Sequence, residues 1–374
     1  MKKVLVLIRS LNIGGAEKQL LTLMKNIDRT RIEPVIVTFY SGGDLLPDFS
    51  ECQTRVLSAQ KSGRWDIFDF FSKLIKIIRS ENPDVVLSYL VAANLLAVIL
   101  KPLFRSARVI ISIRHSFVRM EDYDRLNRIL YSLESRLAGF SDRIIVNSFT
   151  GAKMAAQRGI PTDKMVVIPN GIDTDQFYPD KKSGRESRRQ FGLSEKDRLV
   201  GIIGRLDPIK DHITLLEAAS IVREQIPLFK LVIIGSGDGE YEQKLKTRVQ
   251  LLGMEPNVIW IPSQNNLLGI YNMLDVCVSS SIGEGFSNVI SEAMSCGIPC
   301  VATNVGDSAM IIEETGRIIP PCSVNEMAQA IRDLLVMSAK DRTNLGRKAR
   351  ERIMANFSVE KMVCATMTEI ESLG

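Results

Sequence analysis

Two glutamates, Glu284 and Glu292, stand eight positions apart, with a glycine-containing loop and the start of a helix between them. The residues before them read as a strand, and the apolar residues after Ser287 recur at helical spacing until Gly297. A helix N-terminus offers unpaired backbone N–H groups and a positive dipole end, which suit a phosphate. Glu284 at the mouth of the loop can accept hydrogen bonds from sugar hydroxyls, and Glu292, about two turns inside the helix, can hold a second diol. The pattern is compatible with a nucleotide-sugar site, but on spacing alone two surface acids flanking a turn are the favoured interpretation.

A cationic pair, Arg205 and Lys210, follows the apolar run LVGIIG, which reads as a strand. Pro208 ends the turn between them, and Asp211 can cap a helix that starts near His212, a residue expected at the surface. A guanidinium and an ammonium beside a helix N-terminus suit a diphosphate, because arginine binds two phosphate oxygens in a planar fork and lysine acts as a point charge. The alternative is a surface ion pair.

Two glycine loops also follow predicted strands. Gly14 and Gly15 come after the first strand, where glycine lets the backbone approach a ligand closely, and an ordinary tight turn is the alternative. The loop from Gly235 to Gly239 follows the run KLVIIG. It only partly matches a dinucleotide fingerprint, because its third glycine comes early and no acid for a ribose is obvious. A minor role, through its backbone, is expected for this loop.

Four segments together resemble the retaining glycosyltransferases of family 4, which have the GT-B fold. The segment EGFSNVISEAMSCGIPCVATNVG from Glu284 is similar to the E-x7-E signature of that family. The other three are the Gly14-Gly15-Ala16-Glu17 loop, the segment 169–173 (PNGID) and the segment 204–210 (GRLDPIK). The resemblance implies an α/β fold of two doubly wound Rossmann-like domains that face each other across a cleft. It places an acceptor-binding domain at 1–170, a nucleotide-sugar-binding domain at 171–357 and a helix at 358–374 that crosses back to the first domain.

The resemblance also assigns roles to individual residues. Arg205 and Lys210 would hold the leaving diphosphate, and His115, at the end of the strand RVIISI, would lie close to the donor sugar and be needed for turnover. The catalytic set implied is His115, Glu284, Arg205 and Lys210. The donor-binding set is Gly15, Arg205, Lys210, Gly235, Glu284, Gly285, Phe286, Ser287, Asn288, Val289 and Glu292.

The implied reaction moves a hexose-type sugar from a nucleoside-diphosphate sugar, with UDP favoured over GDP, to an acceptor hydroxyl with retention of configuration. The acceptor would be a glycan or a polyprenyl-diphosphate-linked saccharide of a bacterial surface polysaccharide. No metal and no other cofactor is expected, because neither D-x-D pattern, at 122–124 or at 173–175, follows a strand. The rival functions are a nucleotide-sugar epimerase of the same fold, a non-catalytic sugar-nucleotide-binding module and a dinucleotide dehydrogenase, the last of which leaves the two glutamates unexplained.

Composition sets the broad class. A chain of 374 residues with 45% hydrophobic and 24% charged residues suits two soluble globular domains. Six scattered cysteines without metal spacing suit a reduced, cytoplasmic protein. The start MKKVLVLIRS reads as a buried strand, since its apolar run is too short for a signal peptide. The sixteen uncharged residues 85–100 fall short of the roughly 20 that span a bilayer, and they read as a buried strand followed by a buried helix.

The charge is unevenly divided: the net charge is +5, with +9 in residues 1–170 and −4 in the rest. A basic first half can attract an anionic membrane surface or an anionic acceptor, and a solvated face is the alternative. Nucleic acid is not expected, because no nucleic-acid-binding signature accompanies the charge. Residues 65–79 read as a helix with one apolar stripe beside Lys73, Lys76 and Arg79. This helix could lie on the inner face of the cell membrane, or its stripe could simply cover a sheet.

Alternating short β-branched runs and amphipathic stretches predict parallel sheets covered by helices. The polar segment 171–195 is interpreted as the interdomain connection, and one long helical pattern covers 324–355, with a break at 356–358. The predicted strands are 3–8, 33–39, 84–88, 109–112, 143–146, 165–168, 198–203, 230–235, 257–261, 275–279, 299–302 and 317–319. The predicted helices of the first half are 16–27, 65–80, 92–101, 122–138 and 148–157.

Overall fold

The computed structural model contains two parallel β-sheets, each covered by helices on both faces, and it describes residues 1–63, 66–104, 106–114 and 125–373. The chain divides into two compact units, one formed by Met1–Gly171 with Val359–Gly374 and the other by Ile172–Ser358. Every strand in both sheets pairs in parallel with its neighbours. The predicted fold class, a pair of doubly wound α/β units, is therefore confirmed.

The first sheet has seven strands in the order β3-β2-β1-β4-β5-β6-β7, so the direction of winding reverses between β1 and β4. Its strands are β1 (Lys2–Ile8), β2 (Ile32–Thr38), β3 (Arg55–Ser58), β4 (Val85–Tyr89), β5 (Arg108–Ile113), β6 (Arg143–Val146) and β7 (Met165–Val167). The helices of this part of the chain are α1 (Gly15–Asn26), α2 (Leu46–Glu51), α3 (Phe68–Glu81), α4 (Val91–Leu100), α5 (Arg125–Leu137) and α6 (Phe149–Gln157).

The second sheet has six strands in the order β10-β9-β8-β11-β12-β13, with its reversal between β8 and β11. Its strands are β8 (Arg198–Ile203), β9 (Phe229–Ile234), β10 (Val258–Ile261), β11 (Val276–Ser279), β12 (Cys300–Thr303) and β13 (Arg317–Ile319). The helices are α7 (Lys181–Gln190), α8 (His212–Arg223), α9 (Gly239–Leu251), α10 (Leu268–Met273), α11 (Asn288–Ser295), α12 (Ser308–Ile312), α13 (Val324–Val336) and α14 (Ala339–Asn356).

Each sheet is buried on both faces, which explains why its strands read as continuous apolar runs rather than alternating ones. The uncharged run 85–100 forms β4 and α4, both largely buried, as the sequence indicated. Among the described residues, none of the helices combines the length and the apolar character that crossing a bilayer requires.

The last helix, α15 (Val359–Ser372), packs within the first unit. Met362, Val363 and Met367 join the same buried apolar cluster as Leu20 and Met24 of α1. Lys2 also donates to the carbonyl of Glu371 at 2.7 Å, which ties the two ends of the chain together. The prediction that the final helix returns to the first domain is confirmed.

Three parts of the sequence interpretation were wrong. The polar connection 171–195 contains helix α7, which has no apolar stripe. It packs instead through Gly184, where the backbone comes so close to α10 that a Cβ would lie 2.3 Å from the carbonyl oxygen of Asn272. The pattern 324–355 is two helices, because the chain extends at Met337 and Ser338 caps α14 through the N–H of Asp341. Strand β3 and the short helix α2 had no predicted counterpart, whereas each predicted strand lies within one residue of an observed one at both ends.

Candidate functional site

Three of the predicted site residues, Arg205, Lys210 and Glu284, lie on the loops that follow β8 and β11, the two strands between which the sheet reverses its winding. In open α/β sheets, ligands bind outside the carboxyl ends of strands at such a reversal. The loop after β8 carries Arg205 and Lys210, and the loop after β11 carries Glu284. The topology therefore brings together the two motifs that stand about eighty positions apart in the chain.

Lys210 and Glu284 form an ion pair. The Nζ of Lys210 donates to Oε1 of Glu284 at 2.5 Å, and the hydroxyl of Ser281 donates to the same oxygen at 2.7 Å. Both side chains are largely buried, so the pair is shielded from solvent more than a surface ion pair is. A carboxylate and an ammonium are thus held at the strand ends, and the sequence interpretation assigned both to a ligand without predicting their contact.

A run of three serines at the end of β11 joins the loops around this pair. The hydroxyl of Ser280 donates to the carbonyl of Lys210 at 2.7 Å, and the N–H of Ile282 donates to the carbonyl of Ile209 at 2.8 Å. On the other side, the hydroxyl of Thr303 donates to the carbonyl of Ser281 at 2.6 Å. These residues were not predicted from the sequence, although consecutive small hydroxyl residues at a strand end were a usable signal.

The loop that contains Gly285 packs against the turn at Gly306. The N–H of Asp307 donates to the carbonyl of Gly285 at 2.9 Å, and a Cβ on Gly306, whose φ is +57°, would lie 2.4 Å from that carbonyl oxygen. Only glycine fits this close approach without strain. The side chain of Phe286 is buried and packs edge-on against Phe357, so the loop offers a ligand its backbone rather than this ring.

Helix α11 begins at Asn288, with Ser287 in the capping position, and this start decides where Glu292 lies. Glu292 is the fifth residue of the helix, about one turn in, so the expected depth of two turns was wrong. A helix that begins at Asn288 places Glu292 only four residues after its first residue, and one turn spans 3.6 residues. Asn288 and Val289 are the first two residues of this helix, at the positive end of its dipole.

Tyr271 orients Glu292. Its hydroxyl donates to Oε2 of Glu292 at 2.6 Å, and the ring is fully buried and packs edge-on against Phe177. Burial, together with the negative charge of Glu292, raises the pKa of Tyr271 well above its usual value. The tyrosine therefore stays protonated and acts as a permanent donor to the carboxylate. Nothing in the sequence pattern pointed to Tyr271, which lies on α10, 21 positions before Glu292.

Arg205 is exposed and pairs with Asp207 at 2.7 Å. The loop that carries it lies directly against the Gly235 loop, since the N–H of Leu206 donates to the carbonyl of Ser236 at 3.1 Å. A Cβ on Gly235 would lie 1.8 Å from the carbonyl oxygen of Gly204. The structure therefore gives Gly235 a packing reason to be glycine, and its predicted role beside a nucleotide stays a prediction.

His212 was expected at the surface, and that expectation was wrong. It is the first residue of α8 after the Asp211 cap, and its imidazole is buried edge-on against Tyr241. Burial, and then the nearby positive charge of Lys210, lower the pKa of His212 to about 4. Its Nδ1 atom has no hydrogen-bond partner in the described part of the chain. The imidazole is consequently neutral at physiological pH, directly behind the lysine of the site.

In the first unit, Gly15 is the first residue of α1, and Gly14 caps it without a side chain. A Cβ on Gly14 would lie 2.2 Å from Oε2 of Glu17, so the glycine makes room for that carboxyl group. Burial raises the pKa of Glu17. His115, the predicted catalytic histidine, lies outside the described residues, as do Asp122 and Asp124.

The residue before it, Arg114, is described and lies at the end of β5. Its guanidinium stacks 4.6 Å from the ring centre of Tyr89 and donates to the side chains of Ser112, Asn170 and Tyr89 at 3.0 to 3.2 Å. Asn170 precedes Gly171, whose N–H and carbonyl both bond to the side chain of Gln19. Asn170 and Gly171, in the segment 169–173 that was recognised only by resemblance, are thus held by Arg114 at the end of β5 and by Gln19 of α1.

Metal-ligating side chains do not gather in the described part of the molecule, where no group of three or more His, Cys, Asp or Glu side chains is arranged to hold an ion. Asp173 accepts from the backbone N–H groups of Asp175 and Gln176, so this acid caps a turn.

Two family models match the chain. "Glycosyltransferase Family 4" matches residues 13–176, and "Glycosyl transferases group 1" matches residues 183–352. A D-inositol 3-phosphate glycosyltransferase of Mycobacteroides abscessus is 29% identical over 244 residues, which cover 63% of this chain and 53% of that protein. Its counterpart in Mycobacterium tuberculosis is 28% identical over 242 residues, covering 63% of this chain and 49% of that protein. The match thus spans about half the length of these curated relatives.

Solved structures share the fold along the entire chain. Anabaena Alr3699/HepE in complex with UDP superposes with a TM-score of 0.87 at 21% identity and 100% coverage of both chains. The same protein in complex with UDP-glucose gives 0.85. Sucrose-phosphate synthase of Thermosynechococcus elongatus gives 0.81 at 21% identity, covering 100% of this chain and 99% of that one.

Proposed function

The chain belongs to the family 4 glycosyltransferases of the GT-B fold, and from this we propose that it transfers a hexose from a UDP-sugar to an acceptor hydroxyl with retention of configuration. The observation that carries the proposal is the Lys210–Glu284 pair beside the N-terminus of α11, at the reversal point of the second sheet. The complexes of Anabaena HepE with UDP and with UDP-glucose support UDP as the donor nucleotide.

In the proposed donor site, positively charged groups bind the diphosphate and carboxylates bind the hydroxyl groups of the sugar and the ribose. Lys210 and Arg205, with the first backbone N–H groups of α11, would neutralise the diphosphate. Glu284 would accept hydrogen bonds from sugar hydroxyls once a diphosphate competes for Lys210. Glu292, oriented by Tyr271, would accept from the two ribose hydroxyls. Stabilising the charge on the leaving diphosphate would supply the largest part of the rate enhancement.

At the anomeric carbon, the proposed reaction breaks one bond and forms one bond on the same face of the sugar, and one proton moves from the acceptor to the diphosphate. The bond between the anomeric carbon and the phosphate oxygen breaks, and its electron pair leaves with the diphosphate. The acceptor oxygen bonds to the anomeric carbon and passes its proton to the departing diphosphate oxygen. The step needs no redox partner, and the protein's part is to hold the diphosphate and to position the acceptor.

The acceptor is proposed to bind to the first unit and to carry an anionic group, as a polyprenyl-diphosphate-linked saccharide or a charged glycan does. Arg114 supports this, because hydrogen bonds to Ser112, Asn170 and Tyr89 hold its guanidinium at the carboxyl end of β5, where a planar guanidinium can bind two oxygens of a phosphate or carboxylate.

The function is tested by screening nucleotide-sugars for thermal stabilisation and then following the best donor with candidate acceptors. A ligand at about 100 times its Kd adds roughly 2.7 kcal/mol to the free energy of unfolding. Stabilisation by a UDP-sugar, followed by a glycosylated acceptor and free UDP, is the expected result. An epimerised nucleotide-sugar would instead indicate an epimerase, and donor binding without any product would indicate a binding module. Stabilisation by a nicotinamide dinucleotide alone would indicate a dehydrogenase.

Turnover is expected to be independent of divalent cations, because Lys210, Arg205 and a helix N-terminus can supply the positive charge that a cation otherwise gives a diphosphate. The measurement is the rate of UDP release in excess EDTA and in added magnesium or manganese. Equal rates are expected. Activity that chelation abolishes and a metal restores would contradict the metal-independent proposal.

The variant Glu292→Gln is expected to weaken UDP binding by about 1.5–3 kcal/mol, because it removes a charge-assisted hydrogen bond to the ribose. Tyr271→Phe is expected to weaken binding less, since it frees the carboxylate to move but leaves its charge. Calorimetric titration with UDP measures both. A matched control is Glu240→Gln, an exposed acid in the first turn of α9. An unchanged UDP affinity in Glu292→Gln would refute the ribose assignment.

A further inference from the structure

One carboxylate oxygen of Glu284 accepts hydrogen bonds from two side chains of different character. The ammonium of Lys210 lies 2.5 Å from Oε1, and the hydroxyl of Ser281 donates to the same atom at 2.7 Å. A diphosphate attracts the ammonium more strongly than the neutral hydroxyl, because hydrogen bonds between charged groups are the stronger ones. A ligand that draws Lys210 away from Glu284 would therefore leave the bond from Ser281 in place.

Neighbours other than the ammonium hold Ser281, which is 1% exposed. Its carbonyl accepts from the hydroxyl of Thr303 at 2.6 Å, and Thr303 is itself fully buried at the end of β12. The next N–H along the chain, that of Ile282, donates to the carbonyl of Ile209 at 2.8 Å. The peptide group that follows the side chain of Ser281 is thus held at both its carbonyl and its N–H, and neither bond uses the ammonium of Lys210.

The burial of Glu284 makes a second donor valuable, since its side chain is only 15% exposed. A carboxylate with so little access to water is costly when its cation leaves, unless hydrogen bonds take the cation's place. Serine suits this task, because a short side chain loses little conformational entropy when it is held. Ser281 and Glu284 also lie three positions apart in one loop, so their contact does not depend on how the loop after β8 is placed.

We propose that Ser281 is a positioning residue of the donor-sugar site. Its hydroxyl holds the carboxylate of Glu284 beyond the end of β11 while a diphosphate takes Lys210, so the carboxylate meets the sugar hydroxyls already in place. The inference rests on the proposed function, because Ser281 has this role only if Glu284 binds the sugar of the donor. It deepens that function by adding a residue whose effect depends on the transferred sugar and not on the nucleotide.

The test compares the binding of UDP and of UDP-sugars to the wild type and to Ser281→Ala by calorimetric titration. The probes are UDP-glucose, UDP-galactose and UDP-N-acetylglucosamine, and the one that binds the wild type most tightly is carried forward. We expect Ser281→Ala to weaken the binding of this UDP-sugar by about tenfold or more, because a hydrogen bond to a charged group is lost. The affinity for UDP should fall much less, since UDP carries no hexose for Glu284 to hold.

A double-mutant cycle with Glu284→Ala separates this role from a general effect on the loop. If Ser281 acts through the carboxylate, Ser281→Ala weakens the binding of the UDP-sugar in the wild-type background and has little further effect in Glu284→Ala. Equal losses in the two backgrounds would show that the hydroxyl stabilises only the loop, and they would overturn the proposal. An affinity for the UDP-sugar that Ser281→Ala leaves unchanged would overturn it as well.

The matched control is Ser141→Ala, which removes another fully buried serine hydroxyl, one that donates to the carbonyl of Ala138 at 2.7 Å in the first unit. Its affinity for the UDP-sugar should equal that of the wild type, and retained UDP binding shows that the Ser281 variant is folded. A wild type to which the hexose adds no affinity would refute the sugar-binding role of Glu284, and that of Ser281 with it. A wild type that prefers the UDP-sugar, matched by Ser281→Ala, would refute the role of Ser281 alone.

Discussion

Replacing Lys210 by alanine is expected to lower the rate of sugar transfer by about 10²–10³-fold, the usual effect of removing one group that stabilises charge developing in a transition state. The ammonium lies at the reversal point of the second sheet and is held by Glu284 at 2.5 Å. The diphosphate gains negative charge as it departs, so the ammonium of Lys210 would stabilise it more in the transition state than in the bound donor. We therefore expect kcat to fall more than the affinity for the donor. Steady-state kinetics with the donor found by the screen give both quantities.

Two variants separate the loss of this charge from damage to the site. Lys246→Ala removes a lysine from the surface pair with Glu242 on α9, and it should leave the rate unchanged. Glu284→Gln combined with Lys210→Ala removes the carboxylate that the single variant leaves without its cation. If the rate returned to near the wild-type value in this double variant, the effect of Lys210→Ala would come from the uncompensated carboxylate, and the proposed role of Lys210 toward the diphosphate would be wrong.

Lowering the pH from about 6.5 to about 4 is expected to destabilise the second unit through His212. The pKa of this histidine is about 4 in the folded protein against 6.5 for an ordinary histidine, because burial disfavours the charged imidazole. A folded-state pKa below the unfolded one means that the neutral form is favoured by folding. The stabilising contribution is therefore complete above about pH 6.5 and is lost as the pH falls toward 4. The full loss is on the order of 3 kcal/mol, because a tenfold change in proton affinity corresponds to about 1.4 kcal/mol.

Urea unfolding of the wild type and of His212→Asn at pH 7, 5.5 and 4 measures this effect. Asparagine keeps a polar group of similar reach but does not titrate, so the stability difference between the two proteins should shift toward the variant as the pH falls. Other groups titrate in the same range, including Glu17, whose raised pKa acts in the opposite direction, but they are common to both proteins and cancel. A stability difference that stays constant between pH 7 and pH 4 would show that His212 is not buried in its neutral form.

Short apolar runs that alternate with amphipathic helical stretches were enough to predict two parallel sheets. The runs are apolar throughout because a strand buried on both faces must be apolar along its length. The same logic located the site. Arg205, Lys210 and Glu284 each follow a predicted strand, and the carboxyl ends of parallel strands meet at one edge of a sheet. These signals are local, because each lies within a short stretch of sequence. They are the hydrophobic runs, the glycine turns and the charged residues just after them.

Tertiary packing alone decided the remaining features, since each depends on elements that are distant in the chain. His212 is buried because Tyr241 of the following helix covers it, and Glu292 is oriented by Tyr271 from another helix. Glu134 of α5 is likewise held by a distant residue, since Asn94, 40 positions earlier on α4, donates to its carboxylate at 2.8 Å. Periodicity states which residues share a face of a helix. Only the partner across the interface determines which of those faces is buried.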